Sequence, residues 1–457
     1  MNKRNILFLF SILTTFFTSA QDITGLWKGT LSLPNGSLSI IFHLAHSGNE
    51  YISTLDSPDQ GVRGIKTQKT QLKDSTLTIA IPDINASYKG FFRKDGKIYG
   101  TFTQGLNFKL DLEKTTTSLL KKTQEPTPPF PYKTEEVYIK SPENDPILAG
   151  TLSIPQIGKN FTAVVMITGS GPQTRDEEMP GGHKPFLVIA DYLTRHGIAV
   201  LRCDDRGIGK STGSFAKATN EDFTEDALAA FNYLKIRKEI DPDKIGFIGH
   251  SCGGTIAFMA AARQNDVAFI ISLAGAALKG DSLMLKQAEA ICKSEGMTDS
   301  MWQTVKPLIR KRYAILTQDK NAEQIKKELR ADVMTQEENK TPTVTSKVEN
   351  SIATMTSPWY LHFMRYDPTS DLQKVKCPVL ALNGDRDIQV DADMNLMAIK
   401  QQITSNKNKL VTIKKYSGLN HLFQTCKLGT LSEYGDLNET VNPTVLRDIN
   451  EWIHSIK

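Results

Sequence analysis

Two different patterns of apolar and polar residues divide the chain. In the first quarter, apolar and polar positions alternate with a period of two. The alternating runs are residues 38–44, 76–81, 97–102 and 107–112. Such alternation, with Asn-Gly at 35–36 and Asp-Gly at 95–96, predicts short antiparallel strands joined by tight turns. We therefore predict a small antiparallel β domain, a barrel or a sandwich, over residues 21–113.

Further along, short apolar runs without alternation take turns with helical patterns. The runs lie at 137–139, 148–152, 163–167, 199–201, 245–248, 269–273, 379–382 and 410–413. The helical patterns lie at 186–195, 221–236, 254–263, 392–402 and 445–456. Continuous apolar runs are typical of strands that are covered on both faces. Their alternation with helices predicts a mostly parallel sheet of eight strands, with helices on both faces, over residues 135–457.

Two stretches interrupt these patterns. Residues 114–134 are rich in Thr, Lys and Pro, which is typical of a semi-rigid linker between domains. Residues 278–369 carry no strand signal and contain amphipathic helical sequence. A long helical insertion after a sheet strand is typical of a cap over an active site. A structural helical subdomain or a dimer surface is the alternative interpretation.

The first twenty residues differ from the rest of the chain. Lys3 and Arg4 precede the apolar run 6–17, and small residues follow at 18–20. This arrangement predicts a secretory signal peptide over 1–20. A retained membrane anchor is the alternative, but the run is shorter than the ~20 residues that a membrane span needs. We expect an exported protein, periplasmic or secreted, that begins near Gln21 and keeps no stable membrane anchor.

Composition and charge narrow the function further. A formal charge of +5 on 457 residues, with basic and acidic residues interspersed, does not predict binding to nucleic acid. The five cysteines are scattered, so they predict neither a disulfide framework nor a CxxC metal site, although a single disulfide stays open. His43 and His46 lack an evident third ligand, so we expect no metal.

The sequence Gly-His-Ser-Cys-Gly at 249–253 lies between a predicted strand and a predicted helix. A strand, a Gly-x-Ser-x-Gly turn and a helix are the context of a nucleophile elbow. The glycines let strand and helix approach closely around a serine whose backbone is strained. We predict that Ser251 is a nucleophile. The alternative is an ordinary turn in which the serine caps the helix.

A serine nucleophile needs a base, and the base needs an acid to orient it. In a parallel sheet such groups lie on loops at the carboxyl ends of the strands. The run 379–382 leads into Asp385 and Asp387, and the run 410–413 leads toward His421. We predict His421 as the base and Asp387 as the acid, with Asp385 as the second choice. The order serine, acid, histidine is the order of α/β hydrolases.

An acyl-transfer site also needs donors for the oxyanion. We predict the backbone N–H groups of Cys252, next to the serine, and of Ser170, in a glycine-rich loop after the third core strand. The glycine-rich stretch 205–211 fits neither a Walker motif nor a dinucleotide fingerprint, because required glycines are missing. We interpret it as a loop that lines the site, with Asp205 and Arg206 in structural ion pairs.

Residues 135–457 resemble the α/β-hydrolase superfamily, and are most similar to bacterial exported two-domain esterases and to serine aminopeptidase-like hydrolases. The motifs that carry the resemblance are Gly-Ser-Gly-Pro-Gln at 169–173, Arg-Asp at 175–176, Asp-Arg-Gly-Ile-Gly-Lys-Ser at 205–211, the elbow at 249–253, Ser-Pro-Trp at 357–359, Gly-Asp-Arg-Asp at 384–387 and Asn-His at 420–421. The resemblance implies Ser251 as nucleophile, Asp387 as acid and His421 as base. One departure is Thr168, where many members have histidine.

From these residues we expect a serine hydrolase that cleaves small-molecule carboxylic esters through an acyl-enzyme, without a cofactor or metal. The first alternative is a serine aminopeptidase, which needs an acidic clamp for the substrate amine, with Glu177, Glu178 or acids of the cap as candidates. The second is a binding protein that keeps the fold without turnover. For the first domain, an envelope component or a glycan is the candidate ligand.

Overall fold

The computed structural model describes residues 23–33, 36–47, 50–57, 62–115, 123–140, 146–179, 182–334, 342–405 and 410–456. These residues form two compact units. The predicted signal peptide at 1–20 lies outside the described residues, as do residues 116–122 of the predicted linker.

The first unit is one sheet of ten antiparallel strands, as the alternating pattern predicts. They are β1 (Gly25–Leu33), β2 (Gly36–Ser47), β3 (Glu50–Ser57), β4 (Val62–Lys66), β5 (Gln68–Lys73), β6 (Thr76–Ile81), β7 (Ala86–Phe92), β8 (Lys97–Gln104), β9 (Leu106–Lys109) and β10 (Leu112–Thr115). Their order is β4-β3-β2-β1-β10-β8-β7-β6-β5, and β9 pairs with β8. The two ends of the sheet come together. This is seen in a hydrogen bond of 2.7 Å between the hydroxyl oxygens of Ser53 on β3 and Thr70 on β5, strands that lie near opposite ends of the order.

The prediction of a single strand over 107–112 is wrong. The chain leaves the ladder at two residues between β9 and β10, where the N–H of Leu110 donates to the carbonyl of Gly100 at 2.9 Å. The Asp111 carboxylate accepts from the Gly100 N–H at 3.3 Å, and the Tyr88 hydroxyl donates to the Leu110 carbonyl at 3.2 Å. This break lets the segment pair first with β8 and then with β1.

The second unit contains a mixed sheet of eight strands. They are β11 (Tyr132–Lys140), β12 (Ile147–Pro155), β13 (Phe161–Ile167), β14 (Ala199–Cys203), β15 (Ile240–His250), β16 (Phe269–Leu273), β17 (Val379–Gly384) and β18 (Val411–Tyr416). In the order β11-β12-β14-β13-β15-β16-β17-β18, the first two pairings are antiparallel and the other five are parallel, so β12 alone runs opposite to the other strands of this sheet. The prediction of a mostly parallel eight-stranded sheet is confirmed.

Helices cover both faces of this sheet. They are α1 (Pro185–Arg195), α2 (Asn220–Lys235), α3 (Cys252–Arg263), α4 (Gly280–Ser294), α5 (Asp299–Leu316), α6 (Ala322–Met334), α7 (Pro342–Met355), α8 (Pro358–Arg365), α9 (Thr369–Leu372), α10 (Ala392–Ser405) and α11 (Pro443–Ser455). Apolar residues of α1 and α11 share one core with the sheet, and those of α2, α3 and α10 share the other. In the part of the chain that the structure describes, no helix is long and apolar enough to cross a membrane.

A helical cap, α4 to α8, is inserted between the neighbouring strands β16 and β17. Trp302 is fully buried in it, and Arg312 and Asp332 form a buried ion pair with 2.9 Å between Nε and Oδ2. The cap begins and ends at one place, because the N–H of Gly280 donates to the carbonyl of Tyr366 at 3.1 Å. The helical insertion predicted over 278–369 therefore forms a cap with a single base.

The described end of the predicted linker packs on the second unit. The Gln124 side chain accepts from the N–H of Thr440 at 2.6 Å and donates to the carbonyl of Val441 at 2.6 Å. These bonds attach the chain to the segment before α11, so residues near Gln124 are held in place ahead of β11.

Candidate active site

Ser251 lies in a sharp turn between β15 and α3. Its backbone has φ 53° and ψ −119°, in a left-handed region that is unfavourable for any residue with a side chain. The turn is held by the N–H of Ser251, which donates to the carbonyl of Leu273 at 2.8 Å, and by the Gly254 N–H, which donates to the Ser251 carbonyl at 3.0 Å. This strained serine between strand and helix has the geometry of a nucleophile elbow.

The glycines around Ser251 are required by close packing. A Cβ atom added to Gly249 would lie 2.1 Å from the carbonyl oxygen of Gly253. A Cβ atom added to Gly253 would lie 2.1 Å from the carbonyl oxygen of Ile167, at the end of β13. No side chain fits at such distances, so any larger residue would push α3 away from the sheet.

His421 and Asp387 meet at the carboxyl ends of the last two strands. The distance from His421 Nδ1 to Asp387 Oδ2 is 2.7 Å, and the side chains are 3% and 0% exposed. The other oxygen, Asp387 Oδ1, accepts from the N–H groups of Gln389 at 2.8 Å and Val390 at 2.9 Å. The second choice for the acid, Asp385, is exposed and accepts from the N–H of Gly418 at 2.7 Å.

The His421 loop, residues 417–426, brings this histidine to the elbow. The His421 ring lies beside the ring of His250, the residue before Ser251, with 4.7 Å between the ring centres. The buried side chain of Asn420 accepts from the N–H groups of Leu422 at 3.0 Å and Gln424 at 2.9 Å, which fixes the turn. Nδ1 of His421 is occupied by Asp387, so Nε2 is the nitrogen left for proton transfer.

Ser170 and Cys252, the predicted oxyanion donors, line one cavity of about 60 Å³. The Cys252 N–H lies at the first residue of α3, where backbone N–H groups lack partners within the helix and the helix dipole is positive. The loop after β13, residues 168–171, is called the oxyanion loop below. The N–H of Gly169 in this loop donates to Glu177 Oε1 at 2.7 Å, so it is not free to donate to an oxyanion.

The cavity walls are mainly apolar and come from both the sheet side and the cap. They include Val165, Phe215, Phe223, Ile256 and Trp359. The Cys252 thiol donates to Asn220 Oδ1 at 3.5 Å. Burial raises the pKa of Cys252 to about 12, so at neutral pH the side chain is an uncharged thiol rather than a competing nucleophile.

Three carboxyl groups also line the cavity, and two of them are paired with arginines. Asp204 bonds the Arg175 guanidinium at 2.7 Å, and Asp226 bonds Arg206 at 2.7 Å. The third, Asp205, accepts from the Thr168 hydroxyl at 2.7 Å and from the Gln173 N–H at 2.8 Å. Burial raises the pKa of Asp205 to about 7.

The ion-pair interpretation holds for Arg206 and is wrong for Asp205. Among the described residues Asp205 has no basic partner, and its two bonds tie the oxyanion loop to the loop after β14. The sequence could not separate the adjacent acids, because only the fold decides that the Arg175 side chain reaches Asp204 rather than its neighbour.

Glu177 and His250 form a second carboxylate–imidazole pair beside the elbow. Glu177 Oε1 lies 3.0 Å from His250 Nδ1, and both residues are buried, at 1% and 5% exposure. Glu177 is therefore enclosed and hydrogen-bonded, which removes it as the exposed clamp for a substrate amine. The role of His250 was not predicted, although its position inside the elbow motif was the available signal.

His43 and His46 each contact a neighbouring side chain in the first unit. Over the described ranges, no group of three or more His, Cys, Asp or Glu residues could hold a metal ion. His43 Nε2 bonds Asp56 at 2.8 Å, and the His46 ring lies 4.3 Å from the ring of Tyr51. All five cysteines are free thiols.

Comparison with known proteins identifies relatives. The esterase EstD of Thermotoga maritima is 26% identical over 276 residues, which cover 60% of this chain and 58% of the relative, so the chain spans less than two thirds of that protein. Among solved structures, the esterase Pf2001 of Pyrococcus furiosus has a TM-score of 0.41 at 14% identity, over 71% of this chain and 90% of the other. Est1E of Butyrivibrio proteoclasticus, solved with ferulic acid, has 0.42 at 18%, over 70% and 98%.

A family model described as serine aminopeptidase, S33, matches residues 184–425, which is more than half of the chain. The matched region contains the elbow, the cap and the loops that carry Asp387 and His421. With the mixed sheet, the helices on both faces and the inserted cap, this match identifies the chain as a member of the serine aminopeptidase S33 family of α/β hydrolases.

Proposed function

We propose that this protein is a serine hydrolase that cleaves small-molecule carboxylic esters through an acyl-enzyme on Ser251. The observation that carries the proposal is the buried bond of 2.7 Å between His421 Nδ1 and Asp387 Oδ2, with the His421 ring beside the strained elbow. With Nδ1 held by Asp387, Nε2 of His421 is the nitrogen that we propose as the base for Ser251, because a serine hydroxyl is a weak nucleophile without one.

In this mechanism Ser251 Oγ attacks the acyl carbon while His421 Nε2 takes the hydroxyl proton. Asp387 stabilises the resulting imidazolium, and the N–H groups of Cys252 and Ser170 donate to the oxyanion. The ester C–O bond then breaks, and the alcohol leaves with the proton from His421. A water molecule, deprotonated by His421, attacks the acyl-enzyme and releases the carboxylic acid and the free serine.

Short acyl groups are the substrates that we propose. A cavity of about 60 Å³ has room for about four water-sized groups, and its walls are mainly apolar. The Trp359 ring, supplied by α8, forms part of the wall. Similarity to a protein named as an esterase supports ester substrates without defining the alcohol.

The test is hydrolysis of p-nitrophenyl esters from acetyl to decanoyl by the wild-type protein and two serine variants. Ser251→Ala should lower kcat by about 10⁴-fold or more, because the nucleophile is lost. Ser170→Ala is the matched control and should stay within about 3-fold, because the proposed donor at that position is the backbone N–H. Absence of both turnover and fluorophosphonate labelling of Ser251 in the wild type would overturn the proposal.

One observation favours a second candidate, an aminopeptidase. The Asp205 carboxyl lines the cavity beside the oxyanion loop without a basic partner among the described residues, where it could accept a substrate amine. The comparison of aminoacyl p-nitroanilides with acyl p-nitrophenyl esters separates the two activities. An aminopeptidase should prefer the aminoacyl substrates, and Asp205→Asn should weaken only that activity, mainly through KM.

A further inference from the structure

The Glu177 carboxylate holds two parts of the active site through one oxygen. Oε1 accepts from the Gly169 N–H at 2.7 Å, and it lies 3.0 Å from Nδ1 of His250. Gly169 belongs to the oxyanion loop, whereas His250 is the last residue of β15 and directly precedes Ser251. Glu177 therefore connects the loop that supplies an oxyanion donor to the strand that presents the nucleophile.

The other ring nitrogen of His250 extends this connection to the His421 loop. Nε2 lies 3.1 Å from the backbone carbonyl oxygen of His421. A carboxylate and a carbonyl are both acceptors, so each ring nitrogen of His250 must donate. An imidazole with two N–H groups is a cation, so with Glu177 ionised the hydrogen-bond geometry fits the charged form of this histidine.

The electrostatic surroundings agree with a charged ring. Burial on its own would lower the pKa of His250, but the Glu177 carboxylate and the His421 carbonyl outweigh it, so the pKa lies above its usual value. The charged and titratable groups that act on the ring are Glu177, Asp387 and the neighbouring ring of His421. Two buried opposite charges in hydrogen-bond contact compensate each other, whereas either alone would be costly.

The backbone at Glu177 also has an unfavourable conformation. Its φ of 51° is left-handed, which costs a non-glycine residue energy, and its N–H donates to the Thr174 carbonyl at 2.9 Å. This conformation accompanies a side chain that is only 1% exposed and is directed to His250.

We propose that Glu177 and His250 form a buried carboxylate–imidazolium pair that positions the oxyanion loop and the His421 loop around Ser251. The proposal rests on the proposed serine hydrolase function for its catalytic consequence. Neither Glu177 nor His250 lines the cavity that Ser170 and Cys252 share, so both are positioning residues. Loss of the pair should displace the oxyanion donor and the base together, which lowers kcat more than it changes KM.

The first experiment compares Glu177→Gln with Glu178→Gln. The two substitutions are adjacent and isosteric, but Glu178 is exposed while Glu177 is buried. We expect Glu177→Gln to lower kcat by about 10- to 100-fold with KM within about 3-fold, because small displacements in an active site have effects of this size. Glu178→Gln should stay within about 2-fold. Equal kcat values for the two variants would overturn the positioning role.

The second experiment does not depend on turnover. The chain has only eight histidines, so selective ¹⁵N labelling of histidine with NMR can follow each ring, and His250→Gln identifies the His250 signal by its loss. We expect both ring nitrogens of His250 to be protonated at pH 7.5 in the wild type, and one of them to be unprotonated in Glu177→Gln. A neutral His250 ring in the wild type would overturn the proposed imidazolium.

These measurements separate this inference from the proposed function. If the wild type neither hydrolyses esters nor reacts with a fluorophosphonate, the hydrolase proposal fails while the NMR result still decides the state of His250. If the wild type is active and Glu177→Gln does not fold, the wild-type NMR spectrum decides the charge, and the conservative Glu177→Asp variant decides the positioning role. Partial retention of kcat in Glu177→Asp supports it, and full retention overturns it.

Discussion

Two buried carboxylate–imidazole pairs lie close together beside Ser251, and they differ at one nitrogen. Asp387 holds His421 at 2.7 Å and Glu177 holds His250 at 3.0 Å, in both cases through Nδ1. In the His250 pair, Nε2 is bound to a backbone carbonyl. In the His421 pair, Nε2 has no hydrogen-bond partner among the described residues. The two pairs have the same residue types, so the partner of the second nitrogen is what separates the proposed proton-transfer histidine, His421, from the proposed positioning histidine, His250.

The largest expected effect comes from removal of the acid in the His421 pair. Asp387→Asn should lower kcat by about 10³- to 10⁴-fold, because an amide neither holds the productive tautomer of His421 nor stabilises its cation. Steady-state ester hydrolysis measures this. Asp385→Asn is the matched control, two residues away and exposed, and should retain activity within about 3-fold. A larger loss in the Asp385 variant would reverse the assignment of the acid.

Removal of Glu177, the acid of the His250 pair, should change the stability of the protein in a pH-dependent way. Because the pKa of His250 is raised in the folded state, its contribution to stability is full below the unfolded pKa of about 6.5 and is lost as the pH rises through the folded value. Glu177→Gln should therefore lower the free energy of unfolding by roughly 3 kcal/mol at pH 6, and by less at alkaline pH.

Urea denaturation of Glu177→Gln, Glu178→Gln and the wild type at pH 6 and pH 9 measures this difference. The exposed Glu178 variant should match the wild type at both values. A difference between wild type and Glu177→Gln that grows with pH would contradict a raised pKa at His250.

A smaller effect should distinguish the adjacent acids of the cavity. Burial raises the pKa of Asp205 to about 7, so its ionisation destabilises the fold as the pH rises from about 4 to 7. Asp205→Asn removes the buried charge but weakens the hydrogen bond from the Gln173 N–H. We therefore expect a net stabilisation of about 1 kcal/mol at pH 8 and no stabilisation at pH 4.

Asp204→Asn is the control with the opposite sign. Burial opposes the ionisation of Asp204, but the bonds from Arg175 outweigh burial and lower the pKa of this carboxyl. The ionised Asp204 therefore contributes stability above about pH 4, and this stability is lost as the pH falls through the lowered pKa of the folded state. This variant should destabilise the protein at pH 8. Thermal unfolding of both variants at pH 4 and pH 8 tests the pair, and a shift of the same sign in both would contradict it.

The smallest effect is expected for a third carboxylate–imidazole pair, in the first unit. His43 Nε2 bonds Asp56 Oδ2 at 2.8 Å, but the His43 side chain is 28% exposed. His43→Gln should change the free energy of unfolding by less than about 1 kcal/mol, since partly exposed pairs are weak. Ester hydrolysis should stay within about 2-fold, and a larger loss would show that the first unit takes part in turnover.

Local sequence signals were sufficient for the sheet and for the proposed triad. Ser251, Asp387 and His421 each follow an apolar run that forms a strand, so the end of the run places the residue at the site edge. Pairing across distant segments was not accessible. Glu177 and His250 are 73 residues apart, and no local pattern indicates that a charged residue after a glycine-rich loop turns inward.

The same limit applies to finer features. Alternation of apolar residues over 107–112 does not show that Leu110 and Asp111 leave the ladder, because their bonds go to Gly100 on another strand. Likewise, the run Asp204 and Asp205 gives two equal carboxylates, and only the folded position of Arg175 makes them differ.

The closed base of the cap has a consequence for how this chain can change. The chain leaves the sheet at Gly280 and returns at Tyr366, one hydrogen bond of 3.1 Å away, between two strands that are already neighbours. The proposed nucleophile, acid and base lie outside this segment, whereas Trp359, which lines the cavity shared by Ser170 and Cys252, lies within it. The chain thus enters and leaves the cap at one place, so recombination or grafting there can replace a cavity wall while the proposed machinery stays intact, provided that the replacement packs on the same core.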